Sequence, residues 1–128
     1  MSLNFGAITT GVQTVTATGP VAPTAGLSVA TAPATTSDFT VFCEVQSLTD
    51  GAHARIVIEE SANAFTTASP LLVYDVEGAV SSAADMVQSV RKYQVPSTVL
   101  GTSGAVIRAN VESLTAAASL LLRAWIEY

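Results

Sequence analysis

The stretch CEVQSLT, Cys43 to Thr49, returns almost unchanged as ANVESLT, Ala109 to Thr115. Around each copy apolar and polar residues alternate with a period of two, the mark of a strand with one buried face. In FTVFCEVQSL, Phe39, Val41, Cys43 and Val45 fall on one side, and Thr40, Phe42, Glu44 and Gln46 on the other. In AVIRANVESL, Ala105, Ile107, Ala109 and Val111 point inward, and Val106, Arg108, Asn110 and Glu112 outward. A turn follows each copy, TDGAHA with its Asp50-Gly51 pair and TAAASLLL, and then a return strand, RIVIEE or RAWIEY. The return strands match at Arg55 and Arg123, Ile58 and Ile126, and Glu59 and Glu127, an offset of 68 against 66 in the leading strands, which makes the second turn two residues longer. Each strand–turn–strand unit reads as a hairpin. One hairpin cannot bury its apolar face alone, but two placed face to face close a core. The expected fold class is therefore all-β, an antiparallel β-sandwich of jelly-roll or immunoglobulin-like type with about seven or eight strands.

The chain has 128 residues, the length of one domain. Residues 1–37 carry no charged side chain and are rich in Thr, Ala, Gly, Pro, Ser and Val. GVQTVTATGP suits a strand stopped at Gly19-Pro20, and two prolines in VAPTAGLSVATAPATTS deny a helix. This portion reads as an extended uncharged arm with one or two short strands, and residues 38–128 as the sandwich domain. Between the repeat units, SANAFTTASP reads as a loop and LLVYDVEG as a strand ended by Gly78. SSAADMVQSV breaks the β pattern: Ser82 and Asp85 have capping-box spacing, Ala83, Met86, Val87 and Val90 recur at helical spacing, and Arg91 and Lys92 suit a helix C-terminus. A short helix or a long loop is expected there, then a strand in KYQVP stopped by Pro96, then a loop in STVLGTSG.

Few groups are placed for chemistry. His53, the only histidine, sits in the first turn between two alanines, with no third group to hold it as a catalytic base. Cys43 lies on an inward strand face and reads as a small buried hydrophobe. One Cys and one His are no zinc cluster. Glu59, Glu60 and Ser61 with Asn63 are the best oxygen ligands for calcium and make a poor loop for it. LGTSG lacks the lysine and following helix of a phosphate loop. Asp75 and Glu77 share a strand face, as many surface carboxylates do. We expect no enzyme, no cofactor and no metal. A net charge of −5 gives no basic footprint for nucleic acid or anionic lipid. No apolar run reaches membrane-helix length, and the N-terminus lacks a signal-peptide pattern, so folding in a cytoplasm is expected.

Surface is what remains. Charged residues are only 12 %, low for a free monomer. Phe42, Val57 and Trp125 fall on the nominally outward faces, with Val57 and Trp125 at matched repeat positions. Apolar side chains on an outer sheet face imply a cover: the arm, a sister subunit or another protein. Phe42, Val57 and Trp125 are thus the candidate interaction surface.

FTVFCEVQSLTDGAHARIVIEESANAF, with the later RKYQVP and VIRANVESLT…RAWIEY, resembles small β-sandwich structural proteins of tailed bacteriophages. The resemblance spans Phe39 to Tyr128 and is one of pattern. It implies a non-enzymatic virion protein, assembled in the host cytoplasm, that decorates or cements the outside of a capsid shell. The partner implied is the major capsid protein, and the protein itself would be a homo-oligomer, a trimer. On this reading, deletion of residues 1–37 abolishes particle binding. The alternative is a carbohydrate-binding or adhesin-like sandwich that uses Trp125, Tyr128 and Tyr93 as platform residues.

Overall fold

A computed structural model of the chain describes residues 5–28, 39–78, 89–95 and 106–128. Among these residues ten strands run in chain order: β1 Phe5–Ala7, β2 Gln13–Val15, β3 Gly19–Pro20, β4 Leu27–Ser28, β5 Phe39–Leu48, β6 His53–Ser61, β7 Ser69–Glu77, β8 Ser89–Val95, β9 Val106–Leu114 and β10 Leu120–Glu127. They form two antiparallel sheets, and no helix occurs among the described residues. The front sheet runs β1-β10-β5-β8, with β2 also on β10; the back sheet runs β3-β9-β6-β7, with β4 also on β9. The chain is an all-β sandwich, as its alternation predicts. The excess over eight strands comes from the N-terminal stretch, which pairs as four short strands.

The repeat units are not hairpins. β5 lies in the front sheet and β6 in the back; β9 lies in the back and β10 in the front. Each unit is an arch whose turn crosses the core, and each strand pairs with a strand of the other unit: β5 with β10, β6 with β9. Period-two patterning fixes which face is buried but not which neighbour a strand takes. Phe39, Val41, Cys43 and Val45 face Ile56, Ile58, Ile107, Ala109 and Val111 in one buried cluster, as alternation predicts; Ala105 lies outside the described residues.

Pairing also corrects the offset. Val45 stands across from Leu122 as Val111 stands across from Ile56, and Leu48 across from Leu120 as Leu114 across from Ala54. Both strands of the unit therefore repeat at 66 (45 to 111, 56 to 122), with no lengthened turn. A bulge interrupts each pairing at the matched places, skipping Gln46 against Leu121/Leu122 and Glu112 against Arg55/Ile56. The match at 68 is a slip of two residues, which leaves the buried face unchanged and so cannot be seen from alternation.

The turns are matched atom for atom. Thr49 N donates to Ser119 O and Thr115 N to His53 O, at 3.1 and 2.9 Å. Ser119 N donates to Thr49 Oγ1 and His53 N to Thr115 Oγ1, at 2.8 and 2.9 Å. Within each turn, Ala52 N reaches Thr49 O and Ala118 N reaches Thr115 O. Gly51 and Ala117 both take positive φ, 72° and 64°. Glycine enters that region freely, whereas alanine's Cβ crowds the carbonyl there.

Residues 5–28 close the far side of the sandwich. Ile8 N and Thr9 N donate to Ala124 O, and Val21 N to Ala109 O, so this segment is bonded into both sheets. Ile8 and Val21 are buried in the core. Buried Thr9 accepts from Ala124 N at 3.1 Å and donates to Gly11 O at 2.7 Å. Of the helix expected near residue 85, Ser82, Ala83, Asp85, Met86 and Val87 lie outside the described residues. Val90, Arg91 and Lys92 are extended in β8, against Glu44, Cys43 and Phe42, because edge pairing to β5 overrides the local helical spacing.

Replacing Ala117 by Gly relieves the left-handed backbone that the first turn assigns to Gly51. We expect the variant to be more stable by about 0.5–1 kcal/mol, read from urea unfolding midpoints at unchanged slope. No gain would mean that Ala117 is not strained.

Candidate interaction surface

The outer face of the front sheet is a small grid fixed by register. One row reads Ala7, Trp125, Phe42, Lys92; the rows on either side hold Arg123, Glu44 and Val90, and Phe5, Glu127, Thr40 and Gln94. Trp125 and Phe42 stack with ring centroids 5.1 Å apart and planes 3° from parallel. Phe5 adds a third ring from β1, at 6.3 Å from Trp125 and 27°. Phe5 is 63 % exposed although aromatic. Arg123 lies over the Trp125 ring at 4.8 Å while its Nε donates to Glu44 Oε1 at 2.9 Å. Trp125 Nε1 donates to Glu127 Oε2 at 3.4 Å. Beyond Phe42 an open groove of about 440 Å³ is lined by Thr40, Phe42, Lys92, Tyr93 and Gln94. On the other flank a smaller one, about 100 Å³, lies between Phe5, Ala7, Thr9 and Trp125.

Phe42, Val57 and Trp125 are all expected on outward faces from alternation. Phe42 and Trp125 meet there, but Val57 is on the opposite side of the molecule, in the back sheet between Asn110 and Val73. Val57 is only 5 % exposed. The three do not form one patch. At the true offset, Trp125 corresponds to Glu59 and Phe42 to Arg108, and those two are paired in the back sheet as the aromatics are in the front. Arg108 Nε meets Glu59 Oε1 at 2.8 Å, with both side chains largely shielded. Phe65 lies over the guanidinium at 3.8 Å. The same sheet position thus holds a lidded ion pair on one face and a partly uncovered aromatic stack on the other.

Phe5 was missed. It lies in an uncharged stretch with no strand-length pattern, yet it is the only aromatic residue in the first 37, and that isolation was the available signal. Tyr93 is exposed beside the larger groove, whereas Tyr128 packs against the core.

The remaining candidates are placed as follows. His53 is exposed at the start of β6, its backbone held by Thr115. Glu59 engages Arg108, and Ser61 Oγ bonds Asn63 Oδ1 at 2.7 Å, so these oxygens are turned on the protein itself. Asp75 sits 3.4 Å from Arg55, which also reaches Glu112. Cys43 is fully buried, and burial first, then the neighbouring Glu44 charge, push its thiol up to about 12. No protein-family model and no curated protein matches this chain.

The cysteine carries a pH signature. The unfolded thiol ionises near 9.0 while the folded one keeps its proton to about 12, so across that window the unfolded chain binds fewer protons and stability falls as pH rises. Urea titrations between pH 8 and 11 should show this slope, and Cys43→Val should flatten it. An equal slope in the variant would assign the loss to other groups.

Proposed function

We propose that this protein is a non-enzymatic structural component of a phage particle, bound to the outside of the capsid shell as a decoration or cement protein. Its contact with the major capsid protein is the outer face of the front sheet. The observation that carries the reading is the Phe5–Trp125–Phe42 stack. Three aromatic rings on the solvent side of a sheet, two of them only half-buried, with a groove on each flank, have the make-up of an interface centre. Arg123, Glu44, Glu127 and Lys92 around them form the polar rim that such contacts carry. Resemblance to small phage sandwich proteins supplies the shell as the partner. A passive role is further supported by the separation of His53, at the rim of the turns, from Cys43, inside the core.

A glycan-binding role is less well supported. Sugars stack on an open ring face, and here Trp125 is stacked against Phe42 and joined by Phe5 along the strand order β1-β10-β5. Aromatic edges and the Phe5 ring are what the surface offers.

The test is co-sedimentation of the full chain with purified tailed-phage capsid shells from the same source. Wild type should sediment with shells; Trp125→Ala and Phe5→Ala should each weaken binding about tenfold or more, while Arg55→Ala on the back sheet should not. Truncation of residues 1–37 is not the variant to use, because it removes Ile8, Thr9 and Val21 from the fold. Indifference to shells, combined with Trp125-dependent binding on a glycan array, would replace this reading with the carbohydrate one.

A further inference from the structure

The side of the sandwich away from the N-terminal strands is closed by β7 and β8. Each has one sheet neighbour, β6 and β5 respectively, so each presents an edge that no other described strand pairs. The two edges lie side by side, with the Arg91 guanidinium 5.0 Å above the Tyr74 ring. Their charges are opposite. Of the five basic residues, Arg55, Arg108 and Arg123 each meet a carboxylate, whereas Arg91 and Lys92, both on β8, have no carboxylate among the described residues. β7 bears exposed Asp75 and Glu77. The same strands hold Val73, Val90 and Tyr93, which are 39, 51 and 45 % exposed.

We infer that two copies of this chain associate edge to edge, β8 of each pairing with β7 of the other, so that the front sheet of one continues into the back sheet of its neighbour. A two-fold axis along the strands achieves this and keeps the pairing antiparallel. The other edge-to-edge two-fold, along the normal to the sheets, would set β8 on β8 and β7 on β7, bringing like charges together. Height and facing both favour the first. Arg91 is level with Tyr74, so Lys92 stands within a few residues of Asp75 along the strand direction. Lys92 shares the outer face of the front sheet with Phe42, and Asp75 the outer face of the back sheet with Val57. In the continued sheet these become one face, where Lys92 stands opposite Val73 of the second copy and diagonally from its Asp75, within reach of a long side chain, and Val90 stands opposite that Asp75. Because both edges look the same way, one neighbour satisfies both and assembly closes at two copies, not three. Lysine on an edge strand often serves only to repel other strands; here the matching acid is carried on the adjacent edge of the same molecule. This inference rests on the strand edges and stands apart from the capsid reading.

Light scattering and sedimentation equilibrium on the full chain test it. Wild type should be a dimer that weakens with added salt. Lys92→Glu and Asp75→Lys should each raise the dissociation constant about tenfold or more, since each change acts at two symmetric contacts. The double variant should return to within about threefold of wild type, because it reverses the pair without separating it. Circular dichroism checks that each variant keeps its strand content; Arg55 retains Glu112 when Asp75 is replaced. A wild-type monomer at high micromolar concentration, a trimer, single variants that dimerise like wild type, or a double variant no tighter than the singles would each overturn the inference.

Discussion

Thr49 and Thr115 hold the two turns to one another, and the arrangement of β5, β6, β9 and β10 follows from that grip. Each threonine donates its backbone N–H to the opposite turn and accepts from it through its hydroxyl. With the turns locked rim to rim, β5 must descend beside β10 and β6 beside β9, and the two arches interleave about an internal two-fold. A hydroxyl on a β-branched side chain is what the position needs: the branch suits the strand end and the oxygen satisfies a backbone donor that would otherwise lack a partner. The repeated V-[QE]-S-L-T is thus a record of a hydrogen-bonding requirement met twice.

That internal symmetry makes the differences between the two sheets informative. Inside, matched positions hold similar apolar groups, because both halves pack one core. Outside, Arg108 and Glu59 stand where Phe42 and Trp125 stand on the other face. The back-sheet pair sits beneath Phe65, supplied by the loop that follows β6. In the front sheet Trp125 and Phe42 instead stack on one another, with Phe5 of β1 beside them. The two outer faces thus differ in kind: a shielded ion pair on one, a partly uncovered aromatic stack on the other.

Much of this was legible in the residues, and the rest was not for physical reasons. Alternation identified the buried residues of β5 and β9, because side-chain direction in a strand depends only on parity, but Leu120 and Leu122, read as part of the second turn, belong to β10 and are buried. Parity is blind to a slip of two, so Val57 was aligned with Trp125 when its counterpart is Arg123. It is also blind to partner choice, so arches read as hairpins. Trp125 and Phe42 were found because an aromatic on the polar side of an alternating strand is conspicuous. Phe5 had no pattern around it, and its role depends on Gly6, whose missing side chain lets β1 lie close over Ile126 and Leu27.

The first strands of this chain bond to its last. Thr9 and Ala124 are 115 residues apart, and the core stays open along one side until both are present. During synthesis, residues 5–28 would leave the ribosome long before β9 and β10 exist to receive them, so the sandwich can close only once β10 has emerged. A sequence free of charge but rich in Thr, Ser and Gly suits that wait. Its prolines deny it a helix, and it takes up strand geometry when a finished edge is offered.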